Sequence, residues 1–204
     1  QAHQAFDRWV KEHPNKPLGP ASHASAYLFQ ELNRLGVLES EFLKDDNKLV
    51  AKSGGKPDAR LRTLFYEQAR RAETMAQALL AADPTDQDAL LAMSISYGTQ
   101  ADYLNLVENR AVGSLGLFKK SNRYAQALLK LNPSAYDAWT AAGFTEYLAG
   151  SLPFYVRWLV RFDSVEGEKK RAVEQLRLAA VRGRYMRPYA KILLAVVQLR
   201  EKRP

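Results

Sequence analysis

A six-residue phrase occurs twice in this chain, and it constrains the fold more than any other feature. Leu79-Leu80-Ala81-Ala82-Asp83-Pro84 returns 49 residues later as Leu128-Leu129-Lys130-Leu131-Asn132-Pro133. Past each proline, Asp88-Ala89-Leu90 matches Asp137-Ala138-Trp139. A proline pushes the residue before it away from helical angles, so each copy stops a helix at the same place. Self-similarity over tens of residues is the mark of stacked helical units, none able to bury its apolar face alone. No sustained period-2 alternation of β-branched and aromatic residues competes with this reading.

The helical period recurs along the chain. Ala2 to Glu12 forms a short helix with Phe6, Trp9 and Val10 on one face. The prolines and glycine between His13 and Pro20 break it. Ser22 is expected to cap a helix to Leu35 whose stripe is Tyr27, Leu28, Leu32 and Leu35, with Gly36 ending it. A short helical piece over 38–43 and a loop over 45–57 follow. Asp58 is expected to cap a long helix to Ala82. Further helices are predicted over 86–110, 113–131, 136–148, 153–162, 166–181 and 188–201. The expected domain division is a cap and loop over 1–57, then helical repeats over 58–204, split near 58–133, 134–163 and 164–204.

The second copy of the phrase resembles the tetratricopeptide repeat. Trp139 is followed by Gly143, Tyr147 and Gly150 at family-like spacing after Asn132-Pro133. In such repeats the large residue wedges between helices and the small one lets them approach. The 49-residue offset departs from the family's 34. Gly150-Ser151-Leu152-Pro153-Phe154, Arg157-Trp158, Gly167-Glu168-Lys169-Lys170, Gly183-Arg184-Tyr185 and Arg187-Pro188 look like the TTC39/Iml2 group of tetratricopeptide-like proteins. They also resemble secreted bacterial proteins of the same kind, as do Phe6-Asp7-Arg8-Trp9 and Gly19-Pro20-Ala21. The resemblance implies an all-α fold, an α–α superhelix of antiparallel helix pairs. It also implies an adaptor role and a periplasmic or secreted location. If the array of the bacterial relatives continues past Pro204, the last helix exposes Ile192, Leu193, Val196 and Val197.

Charge is distributed unevenly. The net charge is +8, yet residues 1–156 hold 17 basic and 17 acidic side chains. Residues 157–204 hold 13 basic and 5 acidic ones, so the excess lies in the last quarter. Such a surface attracts acidic protein or anionic lipid. Nucleic acid is not expected, since no recognition helix or stacking platform accompanies the charge.

Catalytic chemistry finds little footing. There is no cysteine, which excludes disulfides, thiolate metal sites and cysteine nucleophiles. Gly54-Gly55-Lys56 lacks the remainder of a phosphate loop, and no Gly-x-Ser-x-Gly elbow occurs. His3, His13 and His23 read as surface histidines; no metal and no cofactor are expected. Glu108 and Glu146 could only be paired as acid and base on weak grounds. The expected function is therefore a scaffold binding a protein or peptide in a concave groove, through Tyr103, Asn105, Glu108, Asn109 and Arg110. The alternative is a membrane-surface or lipid-binding module. It would use Arg157, Trp158 and Arg161 of the aromatic segment 153–162, with Arg184 and Arg187 of the basic C-terminal hairpin. A helical-scaffold enzyme is the third reading. Oligomeric state is not legible.

Overall fold

The computed structural model describes residues 2–37, 56–151 and 168–201, and the described residues form α-helices and turns with no strand. The helices are α1 (Ala2–Glu12), α2 (Leu18–Arg34), α3 (Ala59–Ala82), α4 (Gln87–Asp102), α5 (Ala111–Leu131), α6 (Ala138–Ser151), α7 (Lys169–Arg182) and α8 (Arg187–Arg200). A π-helical turn, Tyr103–Val107, continues α4. The expected pieces at 38–43 and 153–162, and with them Arg157, Trp158 and Arg161, lie outside the described residues. No described helix is long and apolar enough to cross a membrane.

The contacts draw two compact units, Gln1–Tyr124 and Ala125–Pro204. In the first unit α2 packs on both α3 and α4, so the N-terminal helices share one core with the helices after them.

Local chemistry explains the boundaries. Asp58 caps α3 as expected, its side chain accepting the Leu61 amide at 2.8 Å. Asp86 caps α4 in the same way through Ala89 at 2.7 Å. Ser22 caps nothing, because α2 begins four residues earlier at Leu18 with Pro20 in its first turn, where proline's missing N–H costs no bond. The repeated junctions share one local design. The Asp83 and Asn132 amides each donate to the carbonyl four residues back, from Leu79 and Leu128, at 2.8 Å. Their side chains accept the amides of Thr85 at 2.9 Å and Ser134 at 3.0 Å, two residues on. These are Asx turns, which set the exit angle past each proline.

Packing of the first unit is centred on Leu28 and Leu32 of α2, Phe65 and Ala69 of α3, and Tyr103 and Val107 of the π-turn. In α4 every residue from Ala89 to Ser96 is buried, which is the state of a helix enclosed by neighbours on all sides. Its buried hydroxyls find partners: Ser96 donates to Ala69 O at 3.2 Å and Thr99 to Ile95 O at 3.0 Å, while Ser121 of α5 donates to the Ser94 carbonyl at 2.7 Å. In the second unit Tyr147 of α6, Leu176 of α7, and Leu193 and Val197 of α8 form the core. Leu193 and Val197, expected at the surface only if the array were cut short after α8, are turned inward, and Ile192 is left outside.

His13 is exposed as expected, but His23 is not a surface histidine. His23 is 2 % exposed. Its Nε2 meets His3 Nδ1 at 3.0 Å, and the far side of His3 meets Gln30 Oε1 at 2.7 Å. His23 also stacks on Phe6 of α1 and on Tyr27. Burial lowers its pKa below the ordinary 6.5, with the nearby charges of His3 and Arg71 in the same direction and Asp7 opposing. A lowered folded-state pKa means the unfolded chain binds the proton more readily. The stability His23 contributes is complete above 6.5 and is lost as pH falls below it. We expect the melting temperature, followed by circular dichroism, to fall between about pH 7 and about pH 5. His23→Phe, which keeps the ring stacking, should flatten that profile; an unchanged profile would show that His23 does not carry it.

Candidate functional site around a π-turn

The sequence predicts one helix over 86–110, but the chain interrupts it. From Tyr103 the bonding widens: the Glu108 amide donates to Tyr103 O at 3.1 Å and the Arg110 amide to Leu104 O at 2.9 Å. Asn109 then takes a left-handed conformation, φ 54°, which asparagine tolerates better than most residues. The wider turn keeps both Tyr103 and Val107 on the core side, at 0 % and 1 % exposure. It also delivers Glu108, Asn109 and Arg110 to the surface between α4 and α5. Single π-turns of this kind are rare and recur at functional sites.

Three residues of α3, Arg62, Phe65 and Tyr66, meet this turn. Arg62 Nε donates to Glu108 Oε1 at 2.8 Å, and the Tyr66 hydroxyl reaches the same oxygen at 3.3 Å. Arg110 approaches the other carboxylate oxygen at 3.9 Å. The Arg62 guanidinium also lies 5.1 Å from the Tyr66 ring centre. Beneath them Tyr103 stacks on Phe65 with ring centres 4.4 Å apart and meets Tyr66 edge-on at 5.5 Å. The Tyr103 hydroxyl is buried and has no hydrogen-bond partner among the described residues. Glu31, fully buried on α2, takes Arg34 in a forked pair at 2.8 and 2.9 Å and accepts the Asp58 amide at 2.8 Å. It thereby ties α2 to the start of α3.

The electrostatics follow from burial. Tyr66 is pushed up to about 12, first by desolvation and then by the Glu108 charge beside it. Tyr103 is raised too, by desolvation first and Glu31 second. Neither phenol exchanges a proton near neutrality, so neither suits general acid–base work there. The Glu108 bond raises the Arg62 pKa further and keeps that side chain charged. Above Glu108 stand two partly exposed guanidiniums, Arg62 and Arg110, with side-chain exposures of 52 % and 68 %. Two cations around one carboxylate leave an unbalanced positive charge facing outward.

Of the expected groove residues, Glu108, Asn109 and Arg110 are together on this face, and Asn105 is half-buried beside them. Tyr103 is not a surface residue. Its ring is committed to Phe65 and Tyr66, because the π-turn points it inward. Arg184 and Arg187 are exposed at the end of the α7–α8 hairpin in the second unit. Glu108 and Glu146 are each engaged by their own neighbours. Glu146 accepts the Glu168 amide at 2.8 Å and faces Arg171 at 3.4 Å. Ser114 bonds within its own helix, to Ala111 O at 2.7 Å. No group of three or more His, Asp or Glu side chains among the described residues could hold a metal ion.

Sequence reading missed Glu31, Arg34, Arg62 and Tyr66. Glu31 did leave a trace, since it sits inside the apolar stripe between Leu28 and Leu35, where a carboxylate needs a partner. Arg62 and Tyr66, four apart on α3, left only an ordinary surface spacing.

No family model matches the chain, and neither a curated protein nor a solved structure shows significant similarity to it.

Proposed function

We propose that this chain is a helical scaffold that binds a protein or peptide guest, with the π-turn face of the first unit as the contact surface. The observation that carries the reading is the Arg62–Glu108–Arg110 cluster, held on an interrupted helix with more cation than anion. Here the chain departs from α-geometry, and the departure sets polar side chains outward over an aromatic floor. Arginine and asparagine on such a face suit a guest carrying a carboxylate, as an acidic side chain or a chain terminus. Tyr66 supplies the ring against which an extended backbone packs. Tyr103 and Phe65 hold the floor and do not touch the guest. In this reading the stacked helix pairs leave a groove of the tetratricopeptide-like kind, and Asn105 and Asn109 line it. The role is binding, with no chemistry of its own.

Selection of a displayed peptide library on the immobilised chain tests this. Enriched peptides should share an acidic residue or depend on their free carboxyl end. The double variant Arg62→Ala, Arg110→Ala should lower affinity about tenfold or more, while circular dichroism remains helical. Equal affinity for the double variant, with the helical spectrum intact, would reject this face as the contact surface.

A further inference from the structure

The end of the α7–α8 hairpin has a composition that the scaffold reading leaves unused. From Gln175 to Arg200 the chain has six basic residues and no acidic one. Four of the basic ones, Arg182, Arg184, Arg187 and Lys191, are exposed around the turn that joins the two helices. Among them stand two apolar side chains in water, Val181 at 72 % and Tyr185 at 41 % exposure. The Arg184 guanidinium lies over the Tyr185 ring at 5.2 Å. Arg182 lies over Tyr136 at 5.3 Å and donates to its hydroxyl at 2.9 Å.

The turn is held firmly. Asp137 at the foot of α6 accepts the amides of Arg184 at 3.1 Å, Tyr185 at 2.8 Å and Met186 at 2.7 Å. That single carboxylate satisfies three consecutive N–H groups of the turn that leads into α8 and fixes the backbone there. Gly183 makes the approach possible, since a Cβ there would lie 2.5 Å from Ala179 O and 3.0 Å from Asp137 Oδ1. The apolar side chains are presented on a rigid turn and are not strays on a loose loop.

We propose that this hairpin end docks on an anionic lipid bilayer surface. The charge selects an anionic occupant, because four exposed basic side chains surround the turn and the one Asp137 carboxylate bonded to its amides offsets only part of that charge. The shape selects a bilayer over an acidic polypeptide. Val181 and Tyr185 stand out into solvent among the arginines, where they can enter the headgroup–acyl boundary beneath the charges, a burial that an acidic polypeptide does not offer. Arginine at headgroup level, with one aliphatic and one tyrosine ring between the charges, is the composition of an interfacial contact. The π-turn face is not involved, so this proposal stands or falls separately from the scaffold reading.

The full chain is sedimented with sucrose-loaded vesicles of phosphatidylcholine alone, and of phosphatidylcholine with phosphatidylglycerol. Binding is expected to the anionic vesicles only, and it should weaken steeply as salt is raised. Arg184→Glu with Arg187→Glu should lower partitioning at least about tenfold. Val181→Ser with Tyr185→Ser, which leaves the charge intact, should also lower it. A charge-matched control on α3, Arg60→Glu with Arg70→Glu, should stay within about twofold of the parent. Three results overturn the proposal: no parent binding to anionic vesicles, hairpin variants that bind as the parent does, or an α3 control that loses as much as they do. Capture of polyglutamate in place of vesicles would assign the surface to an acidic protein and overturn it equally.

Discussion

Glu31→Ala should lower the melting temperature of the first unit by roughly 5–15 °C. The carboxylate is fully buried and holds the Arg34 fork together with the Asp58 amide. Truncation leaves that amide without an acceptor and a gap in the core, which together cost about 2–4 kcal/mol. Arg34 is 41 % exposed and can turn to water, so its own loss is the smaller part. The damage should spread to α3, because Asp58 is the residue whose side chain caps that helix. Glu31→Gln keeps an acceptor for Asp58 and should recover about half of the loss. Thermal melts followed by circular dichroism measure all three chains. A Glu31→Ala melt equal to the parent's would mean the carboxylate ties nothing together.

Gly143→Leu should destabilise the second unit by about 3 kcal/mol. An ideal Cβ at Gly143 would lie 3.0 Å from Ala172 O, from Leu176 N and from Leu176 Cγ. Two of those atoms are backbone, so α6 and α7 must separate to admit a side chain. Denaturant titration should show a lower midpoint for Gly143→Leu and an intermediate one for Gly143→Ala. Gly116 in α5 is the matched control, since a Cβ there meets nothing within 4 Å. Gly116→Ala should be neutral or stabilising by up to about 1 kcal/mol, through helix propensity alone. Opposite signs at the two glycines would show that the effect at Gly143 comes from helix approach. Equal signs would not.

Gly143 also shows what the residues disclosed in advance. Its spacing from Trp139 marked it as a point of close approach to the next helix, expected over 153–162; that segment lies outside the described residues, and the helix found against Gly143 is α7. The two proline junctions were legible for the same reason: proline geometry is local and obeys few rules. Helix ends set by Asp58 and Asp86 depend on the next three residues only, and they were equally readable. The π-turn was not. Its cause is the fit of Tyr103 between Phe65 and Tyr66, and Phe65 lies 38 positions earlier in the chain. No window along the sequence contains both partners. The aromatic and amide residues near 103–110 were singled out, yet their division into floor and rim needed the packing of α3. The burial of His23 was missed in a similar way. His3 and His23 lie on separate helices that a proline-rich turn folds together, and nothing local announces that one of them is buried.

The Asp137 carboxylate has one more effect. Successive amides of a tight turn make a seat for an anion, and in the turn before α8 the protein's own aspartate fills that seat. The hairpin end therefore meets anions with flexible guanidinium and ammonium arms alone. Arms of that kind sense how much negative charge is present and not the stereochemistry of the group that bears it. Headgroups as different as serine and glycerol phosphates should then be interchangeable at equal surface charge.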